Sequence, residues 1–406
     1  MTASSIDPAV QRRTLVVLVV AQVFSGAGIA AGITVGALLA QDMLGSTDLA
    51  GLPSALFTAG SALTAITVGR LSHARGRRPG LAAGYLAGAL GSVGVLLAAA
   101  LNSPPLLFAA LFVYGAGTAT NLQARYAGAD LADPAHRARA VSTVLVATTL
   151  GGVIGPNLAT PMGDVAEALG IPRLAGLFLL SGTAYLSAAV ILAVWLRPDP
   201  LLLSRTLPPE PRTAPADGST RRSQGWVPGA LIMLLVQPVM VAIMTMTPVH
   251  MHDHGHGTSA AGLVIAIHIG AMYLPSLLTG RLVDRHGTTP AALAAGAALV
   301  AAGVLAAIAP ADSVPLLAIA LALLGLGWNL GVVAGSTMIT NALPAGSRAK
   351  TQGAVDVSIA LAGSTGGITS GLLVDAAGYS FLALTGAALA LLIPVAVATT
   401  RSRPVG

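Results

Sequence analysis

The chain has 406 residues, of which 54% are hydrophobic and 9% are charged, and its mean hydropathy is +0.80. A soluble domain is usually about 45–50% apolar and about 25% charged, so this composition excludes a soluble protein and indicates one that lies in a membrane. The net charge of +6 comes from arginines in short loops without interleaved aromatic residues, which argues against nucleic-acid binding, and the absence of cysteine excludes disulfides and thiolate metal sites.

Twelve apolar segments follow one another along the chain, each long enough to cross a hydrocarbon layer of about 30 Å as a helix. The polar N-terminus leads directly into the first, which is too long for the apolar core of a signal peptide and is predicted to be retained. The predicted spans are 14–40, 50–69, 79–101, 105–128, 139–162, 173–196, 227–250, 259–281, 289–309, 314–341, 350–374 and 379–400.

A segment rich in Pro and Arg separates the two sets of six spans. It covers residues 197–226 and lacks helical periodicity, so it is predicted to be a linker. The sequence therefore predicts an all-α integral membrane protein of twelve transmembrane helices, with one six-helix bundle at 1–196 and a second at 227–406.

The loops between the spans divide by charge. Arginines gather on one side of the predicted membrane, whereas Arg173 is the single arginine in the loops on the acidic side. By the positive-inside rule, both termini and the linker are predicted to be cytoplasmic. Lys350 is the only lysine, a bias typical of GC-rich bacterial genes, so the predicted location is a bacterial cytoplasmic (inner) membrane.

The two sets of spans also resemble each other in sequence. A shift of 211 residues places Gly69-Arg70-Leu71 on Gly280-Arg281-Leu282, and a shift of 210 places Gly115 and Gly117 on Gly325 and Gly327. Parallel six-helix repeats that face each other across a central cavity are typical of transporters.

The loops at the shifted positions carry a recognisable motif. GRLSHARGRR at 69–78, the first signature loop, resembles the G-x-L-a-D-R-x-G-R-R motif of the major facilitator superfamily, and the resemblance covers all twelve spans. His73 stands where the family has its Asp. GRLVDRHGTT at 280–289, the second signature loop, keeps Asp284 and Arg285 but lacks the arginine pair.

The resemblance implies that the first signature loop latches the cytoplasmic face. In the family its Arg pairs with an acid at the end of helix 4, so Arg75, Arg77 or Arg78 is expected to pair with Asp130. The resemblance also implies that the Asp of this loop caps helix 11, and the neutral imidazole of His73 in its place is a poorer partner for a helix N-terminus than a carboxylate. We expect either a weakened or pH-dependent latch, or a solvated His73 without effect.

Span 5 contains GGVIGPN at 151–157, which resembles the G-x-x-x-G-P motif of antiporter subfamilies. Gly151 and Gly155 permit close helix packing, and Pro156 removes a backbone hydrogen bond. Ala159 and Thr160 replace the family's trailing glycines. The motif favours export over uptake, and the alternative is close packing alone.

Asp356 in span 11 is the most inward carboxylate of the chain, and Arg125 in span 4 lies at a similar depth. An ionised side chain inside a membrane costs several kcal/mol unless it is paired or hydrated, roughly 2.5–3.5 at the centre on insertion scales. Asp356 is therefore interpreted either as a group that takes up and releases a proton or as half of a static ion pair.

Several uncharged polar side chains are candidates to line the substrate cavity. Because helices 1, 4, 7 and 10 line the cavity in the family, Gln22, Asn121, Gln237 and Asn329 lead this set, which Asn157, His268, Tyr273 and Trp328 complete. For any one of them, a hydrogen bond between helices is favoured over a contact with a ligand. A polar but uncharged cavity suits a neutral or amphiphilic organic substrate.

Residues 250–257 read HMHDHGHG. The repeat places this stretch in the extracytoplasmic turn between spans 7 and 8, where Gly255 and Gly257 would supply the bend. Imidazoles suit Zn, Ni or Cu, so His252, His254 and His256 are candidate metal ligands. They could instead tune an outer gate by titrating near pH 6.5, or form only a turn.

No enzyme motif competes with these features: AGSTGG at 362–367 lacks the lysine of a phosphate-binding loop and lies inside span 11. We expect no enzyme activity, no cofactor and no nucleic-acid partner, and a monomer in the lipid bilayer. The favoured function is proton-coupled export of small organic compounds. The alternatives are a divalent metal (Ni, Co or Zn) exporter and a non-transporting membrane sensor, which would need an additional soluble domain.

Overall fold

The first half of the chain forms the six predicted spans as helices. The computed structural model describes residues 7–44, 52–207, 226–256 and 258–398. Gly115 divides span 4, and span 5 is interrupted at Leu158, just after the proline at position 156, whose missing N–H weakens the helix. The helices are α1 (Pro8–Leu44), α2 (Leu52–Arg75), α3 (Arg77–Ala100), α4 (Pro104–Tyr114), α5 (Ala116–Ala129), α6 (Arg137–Asn157), α7 (Ala159–Ala168) and α8 (Gly176–Trp195).

The segment after α8 departs from the sequence prediction. Pro200–Thr206 forms a short helix, α9, so the expectation of a linker without helix is wrong for this part. Asp199 caps α9 by accepting hydrogen bonds from the backbone N–H groups of Leu201 and Leu202, at 3.0 and 3.1 Å. Pro200 then occupies the first helical position, where its fixed φ is favourable.

The second half contributes the remaining six spans. Gly378 lies inside α15 with φ 83 and ψ 168, a conformation that L side chains rarely adopt, and it separates spans 11 and 12. The helices are α10 (Val227–Asp253), α11 (Thr258–Tyr273), α12 (Ser276–His286), α13 (Thr288–Ile308), α14 (Val314–Ala342), α15 (Ala345–Ala390) and α16 (Leu392–Ala398).

The helices have the length and surface of membrane spans. Within the described ranges, nine helical stretches are long and apolar enough to cross a bilayer, and the 54-residue stretch Ala345–Ala398 contains two of the predicted spans. Large apolar side chains such as Leu90, Leu278 and Leu372 are more than 60% exposed. Such a surface is stable in lipid rather than water, and the chain is a multi-pass membrane protein.

The described helices form two compact units. Unit 1 contains Met1–Ala132, Thr143–Asp217 and Pro344–Ala360, and unit 2 contains Asp133–Ser142, Gly218–Leu343 and Leu361–Gly406. Each unit therefore includes one segment from the other half of the sequence. A shift of 211 residues carries the start of Asp133–Ser142 onto the start of Pro344–Ala360, so the exchange follows the internal repeat.

The interiors of the two units differ in composition. Unit 1 buries a cluster of aromatic side chains, in which the rings of Tyr114 and Phe178 lie 5.3 Å apart in an edge-to-face arrangement. Unit 2 instead packs α13 closely against α14. Small residues line this contact, since a Cβ atom added at Gly327 of α14 would lie 3.2 Å from the carbonyl oxygen of Ala295 of α13, and they let the helix backbones approach.

Candidate functional site

The first signature loop is held against α15 by two glycines of unit 1. A Cβ atom added at Gly69 would lie 2.9 Å from the Cα atom of Gly353, and one added at Gly353 would lie 2.8 Å from the carbonyl oxygen of Ala65. These distances leave no space for a side chain, so α2 and α15 touch through their backbones. The contact places the loop beside the first turns of α15.

Arg77 makes the ion pair with Asp130. Its Nε atom lies 2.8 Å from Oδ2 of Asp130, and both side chains are fully buried. Arg77 also donates to Gln352, while Arg348 approaches the other carboxylate oxygen of Asp130 at 3.5 Å. Helices α3, α5 and α15 thus converge on one carboxylate.

The other two arginines of the loop have different surroundings. Arg75 ends α2 and is exposed. Arg78 uses its backbone N–H, which donates to Oδ2 of Asp199 at 2.7 Å. The structure therefore assigns the pair with Asp130 to Arg77, the first residue of α3.

The second signature loop makes the equivalent approach inside unit 2. A Cβ added at Gly280 would lie 2.9 Å from the carbonyl oxygen of Ala138, which is in the first turn of α6. Asp284 accepts hydrogen bonds from the backbone N–H groups of Ala138 and Arg139, both at 3.0 Å. Asp284 therefore caps α6, whereas Arg285 is exposed.

His73, the counterpart of Asp284 in the first loop, does not reproduce this cap. Its Nδ1 atom is buried and makes no hydrogen bond with the described part of the chain. Its backbone carbonyl accepts a hydrogen bond of 2.9 Å from Arg205 of α9. Sequence reasoning missed α9, although Asp199-Pro200 is a recognisable helix start.

Arg125 and Asp356 form a second buried ion pair in unit 1. Nη2 of Arg125 lies 2.8 Å from Oδ1 of Asp356, and it also donates to the hydroxyl of Tyr126 at 2.8 Å. The guanidinium stacks 4.1 Å from the centre of the Tyr126 ring. Oδ2 of Asp356 is buried and has no hydrogen-bond partner among the described residues, so it can accept a proton.

Gln22 and Asn121 form bonds between helices in this structure. Gln22 donates to the carbonyl of Asn121 at 3.1 Å and accepts from Tyr85. Asn121 donates to Ser25 and Thr148 at 2.9 and 3.2 Å. Both side chains are buried, so they join α1, α3, α5 and α6 rather than present open groups to a ligand.

Asn329 and His268 are also used within their unit. Asn329 donates to the hydroxyl of Ser276 at 2.6 Å and to the carbonyl of Met272 at 2.7 Å. Nδ1 of His268 bonds the carbonyl of Leu321 at 2.9 Å. Both side chains are fully buried, which makes them part of the contact between α14 and the pair α11 and α12.

Three further cavity candidates of unit 2, Trp328, Gln237 and Tyr273, are joined through contacts of Trp328 and are together less buried than Asn329 and His268. The indole nitrogen of Trp328 donates to Oε1 of Gln237 at 2.8 Å, and the ring of Tyr273 meets that of Trp328 edge to face at 5.6 Å. Trp328 is buried, whereas Gln237 and Tyr273 are half-buried. We call these three residues the polar aromatic group.

The antiporter-like stretch in span 5 packs closely against α1. A Cβ added at Gly151 would lie 2.5 Å from the backbone nitrogen of Ala27, and Gly155 is buried. This geometry favours the close-packing interpretation for Gly151. The side chains of Pro156 and Asn157 lie outside the described residues.

The histidine-rich stretch begins inside a helix, because α10 extends to Asp253. Gly255 then turns the chain with φ 82, as predicted from its position, while Gly257 lies outside the described residues. The ring of His254 bonds the carbonyl of His250 at 2.7 Å, and that of His256 bonds the carbonyl of Ala311 at 2.9 Å.

These contacts do not assemble a metal site. His252 is exposed. Across the described ranges, no group of three or more His, Cys, Asp or Glu side chains is arranged to hold a metal ion.

Comparisons with known proteins agree on one family. The family model described as Major Facilitator Superfamily matches residues 17–275 and 229–406. An uncharacterized MFS-type transporter, YdeG of Bacillus subtilis (strain 168), is 54% identical over 398 residues, which cover 97% of this chain and 93% of that protein.

Two further comparisons are more distant. The riboflavin transporter RfnT of Brucella anthropi is 30% identical over 357 residues, 86% of each chain. Among solved structures, the human organic anion transporter MFSD10 (TETRAN) is similar with a TM-score of 0.77 at 16% identity, covering 96% of this chain and 100% of that one. At this identity the likeness shows the fold alone.

Proposed function

The chain belongs to the major facilitator superfamily and is a membrane transporter rather than an enzyme, and from this membership we propose that it exports small neutral or amphiphilic organic compounds in exchange for protons. It would act as a monomer by alternating access, in which the two bundles expose the substrate to one side of the membrane and then the other. Its arginine-rich loops, linker and termini would face the cytoplasm of a bacterial cell, because basic loops remain on that side.

The Arg125–Asp356 pair is the observation that carries the proton-coupling proposal. Asp356 combines an ion-pair partner at 2.8 Å with a second carboxylate oxygen that is buried and makes no hydrogen bond within the described ranges. A carboxylate that loses its cationic partner in a dry environment binds a proton more readily. Movement of α15 relative to α5 would therefore couple protonation to the transport cycle.

The polar aromatic group supports the proposed substrate class. The indole N–H of Trp328 donates to Oε1 of Gln237. This hydrogen bond orients the amide so that Nε2 is available to donate to a ligand carbonyl. The half-buried ring of Tyr273 offers an apolar edge beside it. Neutral donors and aromatic rings suit a planar organic molecule better than a phosphate or dicarboxylate.

Riboflavin is a specific candidate within this class. A relative that is 30% identical to the chain bears the name riboflavin transporter, and riboflavin is neutral, with a planar ring system that carries carbonyl acceptors. Gln237→Leu would remove the amide while keeping a side chain of similar size. We expect about tenfold weaker transport affinity, since one hydrogen bond contributes about 0.5–1.5 kcal/mol. Thr245→Val, an exposed change on the same helix, serves as the control.

The central experiment measures uphill transport in proteoliposomes under an imposed proton gradient, with riboflavin and cationic dyes as substrates. We expect Asp356→Asn to abolish accumulation driven by the gradient but to retain exchange between equal substrate concentrations. Asp375→Asn, at an exposed position of the same helix, should behave as the wild type. Accumulation by Asp356→Asn at the wild-type rate would refute proton coupling through this carboxylate.

A static role for the pair predicts a different result in the double variant Arg125→Gln, Asp356→Asn. This variant removes both charges, so no unpaired ion remains buried and folding should be retained. If the pair is only structural, the double variant should transport uphill. If Asp356 carries the proton, it should fold but fail to accumulate substrate.

Export of Ni, Co or Zn is the alternative proposal, and it depends on the histidine-rich turn. Ion flux can be measured in the same liposomes with each metal alone. Metal flux that His252→Ala abolishes would reverse the order of the two proposals. The imidazole bonds to backbone carbonyls described above favour the organic substrate.

A further inference from the structure

The segment 199–206, which we call the strap, joins two helices of unit 1 through a single side chain. Nη2 of Arg205 donates to the carbonyl of His73 at 2.9 Å, and Nε donates to the carbonyl of Ala345 at 3.3 Å. His73 lies in the last turn of α2, where carbonyl groups have no partner within the helix. Ala345 is the first residue of α15. One guanidinium therefore bridges the end of α2 and the start of α15.

Asp199 fixes the other end of the strap to the first signature loop. Its Oδ1 atom caps α9, and its Oδ2 atom accepts from the backbone N–H of Arg78 in the first turn of α3. The carboxylate also lies directly against Gly76, where the φ of 97 and the absence of a side chain allow the approach. Pro200 and Leu201 follow it in the chain and are buried.

The strap contacts the first signature loop, which has His73 at the position where the second signature loop has its capping residue, Asp284. In unit 2, Asp284 ties the second signature loop to the start of α6. The corresponding residue of the first loop is His73, whose ring nitrogen Nδ1 makes no hydrogen bond with the described residues. The strap instead supplies Asp199 to the loop and Arg205 to both helices.

We propose that the strap replaces the missing carboxylate of the first signature loop and that Arg205 and Asp199 are positioning residues of the transport cycle. The strap stabilises the state in which α2 contacts α15 at Gly69 and Gly353. Its bonds to His73 and Ala345 must break when these helices separate. This inference rests on the proposed alternating access, but it requires neither proton coupling nor a particular substrate.

The absence of cysteine from the sequence allows a direct test. Ala349 lies in the first turns of α15, is fully buried, and its carbonyl oxygen would be 3.2 Å from a Cβ added at Gly69. A single cysteine introduced as Ala349→Cys would react with a maleimide only when α2 and α15 separate. The labelling rate of the purified full chain, measured without substrate or proton gradient, reports this separation.

We expect Arg205→Ala to raise the labelling rate of the Ala349→Cys protein about tenfold, a factor that corresponds to about 1.4 kcal/mol. Arg205→Lys, which keeps the charge but not the paired donors, should raise it less. Arg197→Ala removes an exposed arginine nearby and should leave the rate unchanged. His73→Asp added to Arg205→Ala should return the rate toward the wild-type value, because it restores the family's carboxylate.

Two outcomes would overturn the inference. Equal labelling in the Arg205→Ala and Arg197→Ala proteins would mean that the strap does not hold the helices together. Faster labelling of Arg205→Ala without rescue by His73→Asp would mean that the strap does not replace the carboxylate. Because labelling requires no transport, neither outcome is confused with failure of the proposed substrate or coupling ion.

Discussion

Replacement of Arg77 by alanine tests the assignment of the buried ion pair. Arg77→Ala leaves Asp130 fully buried without its 2.8 Å partner. Breaking a buried pair from one side costs about 3–5 kcal/mol. Arg348 remains 3.5 Å from the other oxygen of Asp130, so we expect a loss of about 3 kcal/mol, at the lower end of that range.

The matched control is the neighbouring Arg75→Ala. Arg75 is exposed, and substitutions at such positions usually change stability by less than about 0.5 kcal/mol. Equilibrium unfolding of the purified protein, followed by circular dichroism, would measure the free energy of both variants. The double variant Arg77→Ala, Asp130→Ala should lose less than the sum of the single losses, because the two residues interact. Equal losses for Arg75→Ala and Arg77→Ala, or additive losses in the double variant, would refute the assignment.

Three further predictions concern packing and capping. Gly69→Ala should destabilise the protein by about 1–3 kcal/mol, because the new Cβ atom would lie 2.9 Å from the backbone of α15. Gly371→Ala should stabilise its helix, because a Cβ atom added there meets nothing within 4 Å. In thermal unfolding, the first variant should therefore melt at a lower temperature than the wild type and the second at a higher temperature. Asp284→Ala should cost about 0.5–2 kcal/mol by removing the cap of α6, and an unchanged unfolding free energy would contradict that cap. Tyr379→Phe removes the 2.7 Å hydroxyl bond to Thr247 and should cost about 1 kcal/mol in the same measurement.

The sequence alone identified the membrane protein, its spans and its repeat. Apolar segments of sufficient length can satisfy their backbone groups in lipid only as helices or as a closed barrel, and their length and apolar character fit helices, so composition and length predicted the class directly. The two signature loops were located by the 211-residue shift between Gly69 and Gly280. The structure adds that both glycines lie at close contacts between helices, which the sequence did not predict.

Tertiary structure decided which of several suitable side chains meet. Three arginines within four positions could each have reached Asp130, and Arg77 alone is buried against it because it begins α3 while Arg75 ends α2. For Gln22 and Asn121 the sequence left open a cavity position or a bond between helices and favoured the bond, and the packing of α1 and α5 makes both side chains helix contacts. When a helix is apolar all round, its sequence has no amphipathic pattern, so it does not show whether a polar side chain faces a cavity or a neighbouring helix.

The contacts of the strap show most clearly what the sequence alone does not reveal. The sequence identifies the loop and the loss of its acid at His73, since a motif can be compared position by position. Arg205, however, reaches His73 across 132 residues and Ala345 across 140. Local patterns determine helices, caps and membrane crossings, because those depend on neighbouring residues. Contacts between distant segments depend on how the helices pack, and only the folded chain determines that.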